Sequence, residues 1–392
     1  MSQDVRRHIG KLAGEIGPRP AASAAERQAA DYVSIELEQY ADEVAVESFG
    51  GLTTFVWMYL VLFVLALFAN FTFFTNPSLA FVASLAVIVF LNQEVNAKGF
   101  FFEIFPKRES ENVIGVIEAA GEAKRRVVIT TTLDTGKAGA LFRPGARRNF
   151  RGVFQFFVAM LILQVTFTLL GLFVGPQLFV LVIVRLLGLV ELAAIVLLLL
   201  HRYRGSYSPG ANDNASGIAA LLEVGKRLNA ERLPDTEVWL VATGCGHATQ
   251  SGTIAFLRRH WNEVKNDRFI TLSHVGGGKL AYTLGEGILK TYAVEGELID
   301  RARAVARAHP EWEVGEVINR NEPTDLVPLL AIGLRAIGIR GEAEDGFGVD
   351  AYTDDDTIDG VDDDAVDRAV ALTIELTRAI GEKTPEEDQP DE

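Results

Sequence analysis

The sequence has a single cysteine, Cys245, so no internal disulfide can form, and nothing argues for an oxidising compartment. Lysine is scarce, 10 against 27 arginines, and no basic stripe is visible away from the flanks of the apolar blocks. A nucleic-acid binder needs such a stripe, so no nucleic-acid partner is expected. The opening 52 residues lack an early apolar run, so no secretory signal peptide is expected in that stretch. No internal repeat of about 20–50 residues is present, which argues against a solenoid or propeller.

What is abundant is apolar and acidic. The 392 residues are 49% hydrophobic and include 24 Phe. The formal net charge is −15, with acid densest at Asp354–Asp356, Asp362–Asp364 and Glu386–Glu392. An acid-rich, lysine-poor surface suits high salt, and ordinary acidic solubility explains it equally well.

The apolar residues gather in four blocks: Thr54–Phe74, Ser78–Leu91, Val153–Val174 and Leu178–Leu200. Each is near the ~20 residues that span a bilayer, although the second is short. They pair as two hairpins whose turns, Thr75–Ser78 and Gly175–Gln177, contain no Lys or Arg. The opposite flanks carry Lys98, Lys107, Arg108, Arg143, Arg147, Arg148, Arg151, Arg202 and Arg204. Positive residues resist translocation, so both termini and the soluble residues are expected in the cytoplasm, with a multi-pass bundle in the cell membrane. The lipid bilayer is then a partner. Arg185 and Glu191 fall inside the fourth block and are six residues apart, too far round a helix to share a face. Such charges either hydrogen-bond within a bundle or mark a transport-related role, in which the soluble domain would be regulatory.

The remaining residues alternate between the two periodicities. Helices are expected at residues 22–40, Ser216–Leu228, Gly252–Trp261, Leu298–Ala308 and Val361–Ile380. Strands are expected at Glu43–Phe49, Asn112–Glu118, Arg126–Asp134, Glu237–Cys245, Arg268–Val275 and Leu334–Arg340. This pattern predicts an α/β fold, a three-layer sandwich on a mixed, mostly parallel sheet. The domain would comprise 1–52, 97–150 and 201–381. Two transmembrane hairpins, 53–96 and 152–200, would form an inserted four-helix bundle, followed by a disordered acidic tail at 382–392.

The sharpest motif is Gly210-Ala211-Asn212-Asp213-Asn214-Ala215-Ser216-Gly217, followed by the apolar helix from Ile218. An Asp in a Gly-rich turn before a helix can present both carboxylate oxygens to cations, while Asn and Ser fix the turn. The stretch resembles the Gly-Ala-x-Asp-Asn-Ala-Ser-Gly signature of zinc aminopeptidases of the aminopeptidase Y type, the family twenty-eight metallopeptidases. Ile16–Ala21, Arg126–Gly136, Val238–Gly252, Ile270–Gly276 and Thr353–Asp359 resemble the same family, so the likeness covers almost all of the soluble residues.

The resemblance implies two zinc ions held by two His and three carboxylates, with a Glu as general base. Carried over residue by residue, most of that set is missing here. The first His position is Thr132, two residues before Asp134, and the bridging Asp is Asp213. In the Gly-x-Glu-Glu stretch the base position is Gly246 and the ligand position His247. The next Asp position is Ser273, and the last His position is Tyr352. A catalytic zinc needs about three protein ligands, and Gly246 has no side chain to move a proton. No catalytic residue and no zinc cofactor are therefore expected, and Thr132, Asp134, Asp213, Gly246, His247, Ser273 and Tyr352 read as a vestigial pocket. The function expected is a membrane-bound pseudo-metallopeptidase acting as a binding or scaffold protein for a peptide or protein partner. The alternative is an active metal-dependent aminopeptidase with a rearranged single-metal site drawn from Asp213, His247, His274 and Asp134.

Other groups read as bland. His8, His201, His260 and His309 are taken as solvated or flanking, and Cys245 as a buried strand-end residue. Gly276–Lys279 is a turn without the strand-to-helix context of a phosphate loop. Asp354–Asp356 is taken as a helix approach or a solvated acidic loop.

Overall fold

The structure, a computed structural model, describes residues 3–95, 104–142, 144–175 and 177–382. Most of the expected acidic tail and the flanking Lys98 and Arg143 lie outside the described residues. The chain divides into two compact units. One comprises Met1–Thr53, Lys107–Lys137 and Tyr207–Glu392, and the other Thr54–Pro106 and Ala138–Ser206.

The first unit is built on a mixed sheet. Its strands are β1 (Glu43–Gly51), β2 (Arg108–Ile117), β3 (Arg125–Thr132), β4 (Thr236–Thr243), β5 (Arg268–Ser273), β6 (Lys279–Glu286), β7 (Tyr292–Ala293), β8 (Gly315–Asn319) and β9 (Arg335–Glu342). The order across the sheet is β1-β2-β4-β3-β5-β9-β6-β8, with β7 beside β6. The four central strands β4, β3, β5 and β9 run parallel, β1 and β2 join antiparallel to their neighbours, and β6 runs antiparallel to β9 and parallel to β8.

Central parallel strands must be apolar on both faces. Val127, Val128 and Ile129 of β3 are all buried, as are Leu240 and Val241 of β4. Alternation on β4 shows which helix covers which face. Trp239 meets Phe256 of helix Ser251–Val264, with ring centroids 6.2 Å apart. Its neighbour Leu240 points the other way, and its methyl lies 2.3 Å from where a β-carbon on Gly225 would be. Gly225 belongs to helix Gly217–Ala230, so the two helices sandwich the sheet. The helix Ala24–Leu37 starts at Ser23, whose side chain accepts from the Glu26 amide. Glu26 in turn accepts from the Ala22 amide, the Cys245 amide and the Ser110 hydroxyl, tying this helix start to β2 and the end of β4.

Several elements went unread in the sequence: helices Gln3–Ile9 and Leu326–Ala331 and strands β6, β7 and β8. The helix Leu326–Ala331 contains Pro328, and β7 has two residues, so neither carries a period. Two histidines read as solvated are buried. His8 places Nδ1 2.7 Å from the Tyr32 hydroxyl. His201 stacks on Phe55 within the second unit. Each is covered by an aromatic residue remote in sequence, which spacing alone does not reveal.

The second unit packs four helices: Val56–Thr72, Pro77–Val95, Phe150–Val174 and Leu178–Tyr203. Leu62, Ala66, Val87, Leu91, Leu161 and Leu198 share one apolar cluster. Only Phe150–Val174 and Leu178–Tyr203 are long and apolar enough to cross a membrane among the described residues. The expectation of four spanning helices is corrected accordingly. Val56–Thr72 has 17 residues, which at 1.5 Å each falls a few ångströms short of a ~30 Å hydrocarbon core. Arg185 donates to the Asn70 side chain at 3.0 Å, and Glu191 is buried with Oε2 unpartnered among the described residues, so the two charges do not pair.

Candidate metal centre

Parallel strands align their carboxyl ends, and the site lies there. Thr132 of β3 pairs with Thr243 of β4, and β5 ends beside them at Ser273. The loops that follow carry Asp134, His247 and His274, the arrangement expected of ligand sites on open α/β sheets. Asp213 arrives from the turn before helix Gly217–Ala230.

That turn is held by side chains on both sides. Asp356 accepts from the Asn212 amide at 2.6 Å and from the Asp213 amide at 3.0 Å. Asn214 donates to Thr131 at 2.6 Å and accepts from the His274 amide at 3.1 Å. Asn212 accepts from the Gly276 amide at 2.8 Å. Asp356 is 2% exposed, so its reading as part of a solvated loop is corrected: it is the acceptor for a buried turn. Burial, with the Asp213 charge nearby, pushes its carboxyl up to about 7.

Three potential ligands converge. His247 Nε2 is 2.7 Å from Asp213 Oδ1, and His274 Nε2 is 2.9 Å from the same oxygen. One ligand atom from each of the three residues lies within 4.8 Å of the others. Behind each imidazole stands a carboxyl group. Asp134 Oδ1 is 3.4 Å from His247 Nδ1, and Glu322 Oε1 is 3.7 Å from His274 Nδ1. Asp134 is itself fixed by the amides of Gly246 at 2.7 Å and His247 at 3.1 Å. Glu322 is paired with buried Arg340 and accepts from the Gly348 amide. Outer carboxyls of this kind orient histidine ligands of metals.

The electrostatics follow from this packing. Burial opposes the charge on Asp213, but the imidazoles of His247 and His274 outweigh it and hold the carboxyl well below the usual carboxylate range. Burial also opposes the charge on His247, yet Asp213 and then Asp134 push it well above its ordinary value. His274 is raised against burial by Glu322 and then Asp213.

The residues fit a divalent ion such as zinc by a direct test. Among the described residues, Asp213 Oδ2 is buried without a hydrogen-bond partner, and both ring nitrogens of buried His274 lack an aligned one. Donors left unpaired in a dry site are costly unless something binds them. Tetrahedral zinc ligands with bonds of about 2.0–2.1 Å stand roughly 3.3 Å apart, so both imidazole nitrogens, at 2.7 and 2.9 Å from Asp213 Oδ1, sit about half an ångström inside that spacing.

The remaining expected site residues share the same cavity. It is a small cleft, partly open to solvent, and lined by Thr132, Asp213, Gly246, His247, Ser273, His274, Asp325 and Tyr352 among others. Asp134 lies directly behind, fully buried. The Tyr352 ring meets His247 edge-on, with centroids 5.6 Å apart. The residue transferred to the family's second Asp position, Ser273, is not the one that reaches Asp213. His274 does so because its backbone takes a left-handed turn, φ 55°, which swings the next side chain inward. Gly348 makes room, since a β-carbon there would lie 2.4 Å from the imidazole. Glu322 and Asp325 carried no sequence signal, for nothing in the spacing of Glu322-Pro-Thr-Asp325 relates it to the turn 110 residues earlier.

Comparison with known proteins agrees with this geometry. Residues 192–377 match the model of peptidase family M28. Among solved structures, the chain resembles a Zn-dependent exopeptidase from Parabacteroides distasonis, with TM-score 0.56, 13% identity, 96% of this chain and 98% of that one covered. It resembles a zinc aminopeptidase from Bacillus subtilis with TM-score 0.56, 14% identity, and 96% and 94% covered. It also resembles a glutaminyl cyclase from Bacteroides thetaiotaomicron, with TM-score 0.58, 14% identity, and 96% and 97% covered. The neighbours differ in reaction, so likeness at this identity concerns the fold. No curated protein sequence matches the chain. Residues 192–377 thus resemble peptidase family M28, and the fold is that of the zinc aminopeptidases.

Proposed function

We propose that this chain is a membrane-embedded metal-dependent hydrolase of the M28 type, with one zinc ion in place of two. Asp213, His247 and His274 hold the ion, and the substrate class is a peptide or aminoacyl amide. The observation that carries the reading is the convergence of both imidazoles on Asp213, each backed by its own carboxyl group, Asp134 and Glu322. Two imidazoles and a carboxylate leave a fourth tetrahedral position for water or substrate, as in mononuclear hydrolytic sites. A bound ion supplies positive charge that polarises a carbonyl and activates water. The second ion of the family has no ligand set, since Thr132, Ser273 and Tyr352 are neutral.

A second reading, a binding protein without turnover for a peptide or protein partner, is favoured by Gly246, which leaves the family's general-base position without a side chain. For the second unit we propose bilayer insertion with the soluble domain on the cytoplasmic side. The support is two long apolar helices, two shorter ones packed with them, and the arginine-rich flanks.

The test is to purify the chain in detergent, measure bound zinc after loading and dialysis, and assay aminoacyl-naphthylamides with zinc, cobalt or manganese. One ion per chain, and hydrolysis lost in Asp213→Ala, is the expected result. No retained ion defeats the metal reading. One ion without turnover favours the binding protein.

A further inference from the structure

We propose that the four-helix unit binds a monovalent metal cation such as sodium in its interior, with Glu191 and Gln164 as ligands. The proposal is independent of the zinc site, whose residues all belong to the other unit.

The apolar interior of this unit is divided into two clusters. One contains Ala66, Val87, Leu161 and Ala194, and the other Phe73, Ala80, Val180 and Val184, with Leu170 packed against it. Between the two, every helix contributes a buried polar side chain. Asn70 lies between Ala66 and Phe73, and Ser84 between Ala80 and Val87. Gln164 and Thr168 lie between Leu161 and Leu170, and Glu191 between Val184 and Ala194. All five are at most 2% exposed, so they form one polar layer across the bundle.

Cross-helix contacts fix the level of the two proposed ligands. Phe55 stacks on His201 and Asn70 bonds the Val184 carbonyl, so helices Val56–Thr72 and Leu178–Tyr203 run antiparallel. A β-carbon on Gly188 would lie 2.6 Å from the Asn70 amide nitrogen. One turn on from Gly188 is Glu191, and one turn back from Asn70 is Ala66, so these two stand level. Gln164 Nε2 donates to the Ala66 carbonyl at 2.7 Å, which brings the Gln164 amide to the same level. Glu191 faces inward, since buried Leu187, Gly188, Ala194 and Ile195 flank it on both sides of its helix.

The layer has spent its donors. The Ser84 hydroxyl donates to the Ala80 carbonyl at 2.8 Å, and the Thr168 hydroxyl to the Gln164 carbonyl at 2.9 Å. The Asn70 and Gln164 amides are given to Val184 and Ala66. Arg185 donates to the Asn70 carbonyl at 3.2 Å and to its side chain at 3.0 Å. Acceptors are left over: Gln164 Oε1 and Glu191 Oε2 are buried without a hydrogen-bond partner among the described residues. Reversing the Gln164 amide would set its oxygen against the Ala66 carbonyl, so Oε1 stays vacant. A buried carboxylate is strongly unfavourable unless it is paired or coordinates a metal. Carboxylate and carbonyl oxygens select hard cations. One carboxylate in apolar surroundings is neutralised by a single positive charge, whereas a divalent ion would leave charge over. The hydroxyl oxygens of Ser84 and Thr168 keep lone pairs after donating and are the further oxygens of the layer.

The experiment uses the full-length chain in detergent micelles exchanged into choline chloride. Radiolabelled sodium is measured by equilibrium dialysis, and thermal unfolding is followed as sodium replaces choline at constant ionic strength. Saturable binding of one ion per chain is expected, with an unfolding midpoint that rises with occupancy. Both effects should be lost in Glu191→Gln, which keeps the shape of the side chain without its charge, and in Gln164→Leu. Leu192→Ala, exposed on the same helix, and Asp213→Ala, in the other unit, should bind sodium as wild type does. Glu191→Gln removes a buried charge, so its midpoint in choline should be no lower than that of wild type, which separates lost binding from lost fold. A wild-type chain that binds no sodium, or Glu191→Gln that binds it undiminished, overturns the proposal. So does a protonated-carboxyl infrared band in sodium-loaded wild type that vanishes in Glu191→Gln, because that carboxyl would hold a proton in place of the ion.

Discussion

The Cγ2 methyl of Thr132 lies 2.2 Å from the point where a β-carbon on Gly246 would be. The two positions that depart from the metallopeptidase pattern as first histidine and general base are therefore complementary in space. Restoring a side chain at 246 alone collides with a buried strand end. Gly246→Ala is expected to cost about 1–3 kcal/mol, the usual range for overpacking a filled interior. Thr132→Ser removes the nearest methyl but keeps a Cβ 2.8 Å away, so the double variant Thr132→Ser with Gly246→Ala should recover part of the loss. Thermal unfolding of the four members of the cycle in detergent measures the coupling. Additive losses would show that the contact does not govern residue 246.

The outer carboxyls yield a second expectation. Asp134→Asn and Glu322→Gln each leave the three ligands intact but weaken the hold on one imidazole. Zinc affinity should fall about 10–100-fold for each, against complete loss for His247→Ala or His274→Ala. Competition with a chromophoric chelator reads the constants. Glu322→Ala carries a separate cost, because it leaves Arg340 buried and uncompensated, and breaking a buried pair destabilises by about 3–5 kcal/mol. Glu322→Gln and Glu322→Ala thus distinguish an effect on the metal from an effect on the fold.

The legible part of this fold was the part with a period. The central strands appeared as β-branched runs because both faces of a parallel sheet are buried, and the helix after Asp213 appeared because its apolar residues repeat. The turn at Asp213 was legible for another reason: a Gly-rich, Asn-rich turn needs those residue types. The ligand set was less so. His247 and His274 differ from the family pattern by type and by one position, and what unites them with Asp213 is a left-handed backbone at His274 together with a glycine at 348. Neither is a feature of local spacing. Asp356 was misread because an acidic run is usually solvated, and the amides it caps lie 143 residues away or more. In the second unit only the block Thr54–Phe74 outruns its helix, Val56–Thr72, whereas the other three helices extend past the apolar blocks into polar residues.

The site's protonation makes stability and metal uptake depend on pH in opposite ways. His247 and His274 have raised folded-state values, so the metal-free chain gains stability from them that is fully present below the unfolded value near 6.5. That stability is lost as pH rises through the raised folded values. Asp213 is depressed, so its contribution is present above its unfolded value and lost only on strong acidification. Metal binding requires neutral imidazoles and therefore releases protons. The expected outcome is that metal-free protein loses thermal stability above neutrality while zinc affinity climbs over the same interval. Denaturation scans with and without zinc, from pH 5 to 9, check this. A metal-free stability that rises through neutrality would contradict the ion cluster.

The second unit has its own close approaches, and they lead to the final expectation. A β-carbon on Gly171 would sit 2.3 Å from the Phe73 ring, and one on Gly188 would sit 2.6 Å from the Asn70 amide nitrogen. Asn70 also donates to the Val184 carbonyl and accepts from Arg185, so Gly188 lies beside the polar contact that joins helices Val56–Thr72 and Leu178–Tyr203. Small residues at helix crossings permit such backbone approach, and in an apolar medium hydrogen bonds between helices help to hold it. Gly188→Leu should push the two helices apart and strand both Asn70 and Arg185, whereas Leu192→Ala, at an exposed position on the same helix, should be silent. Cysteine pairs placed across the crossing, on a Cys245→Ser background, would report it: crosslinking yield should fall in Gly188→Leu and persist in Leu192→Ala. Equal yields would mean that the glycine does not set the distance between these helices.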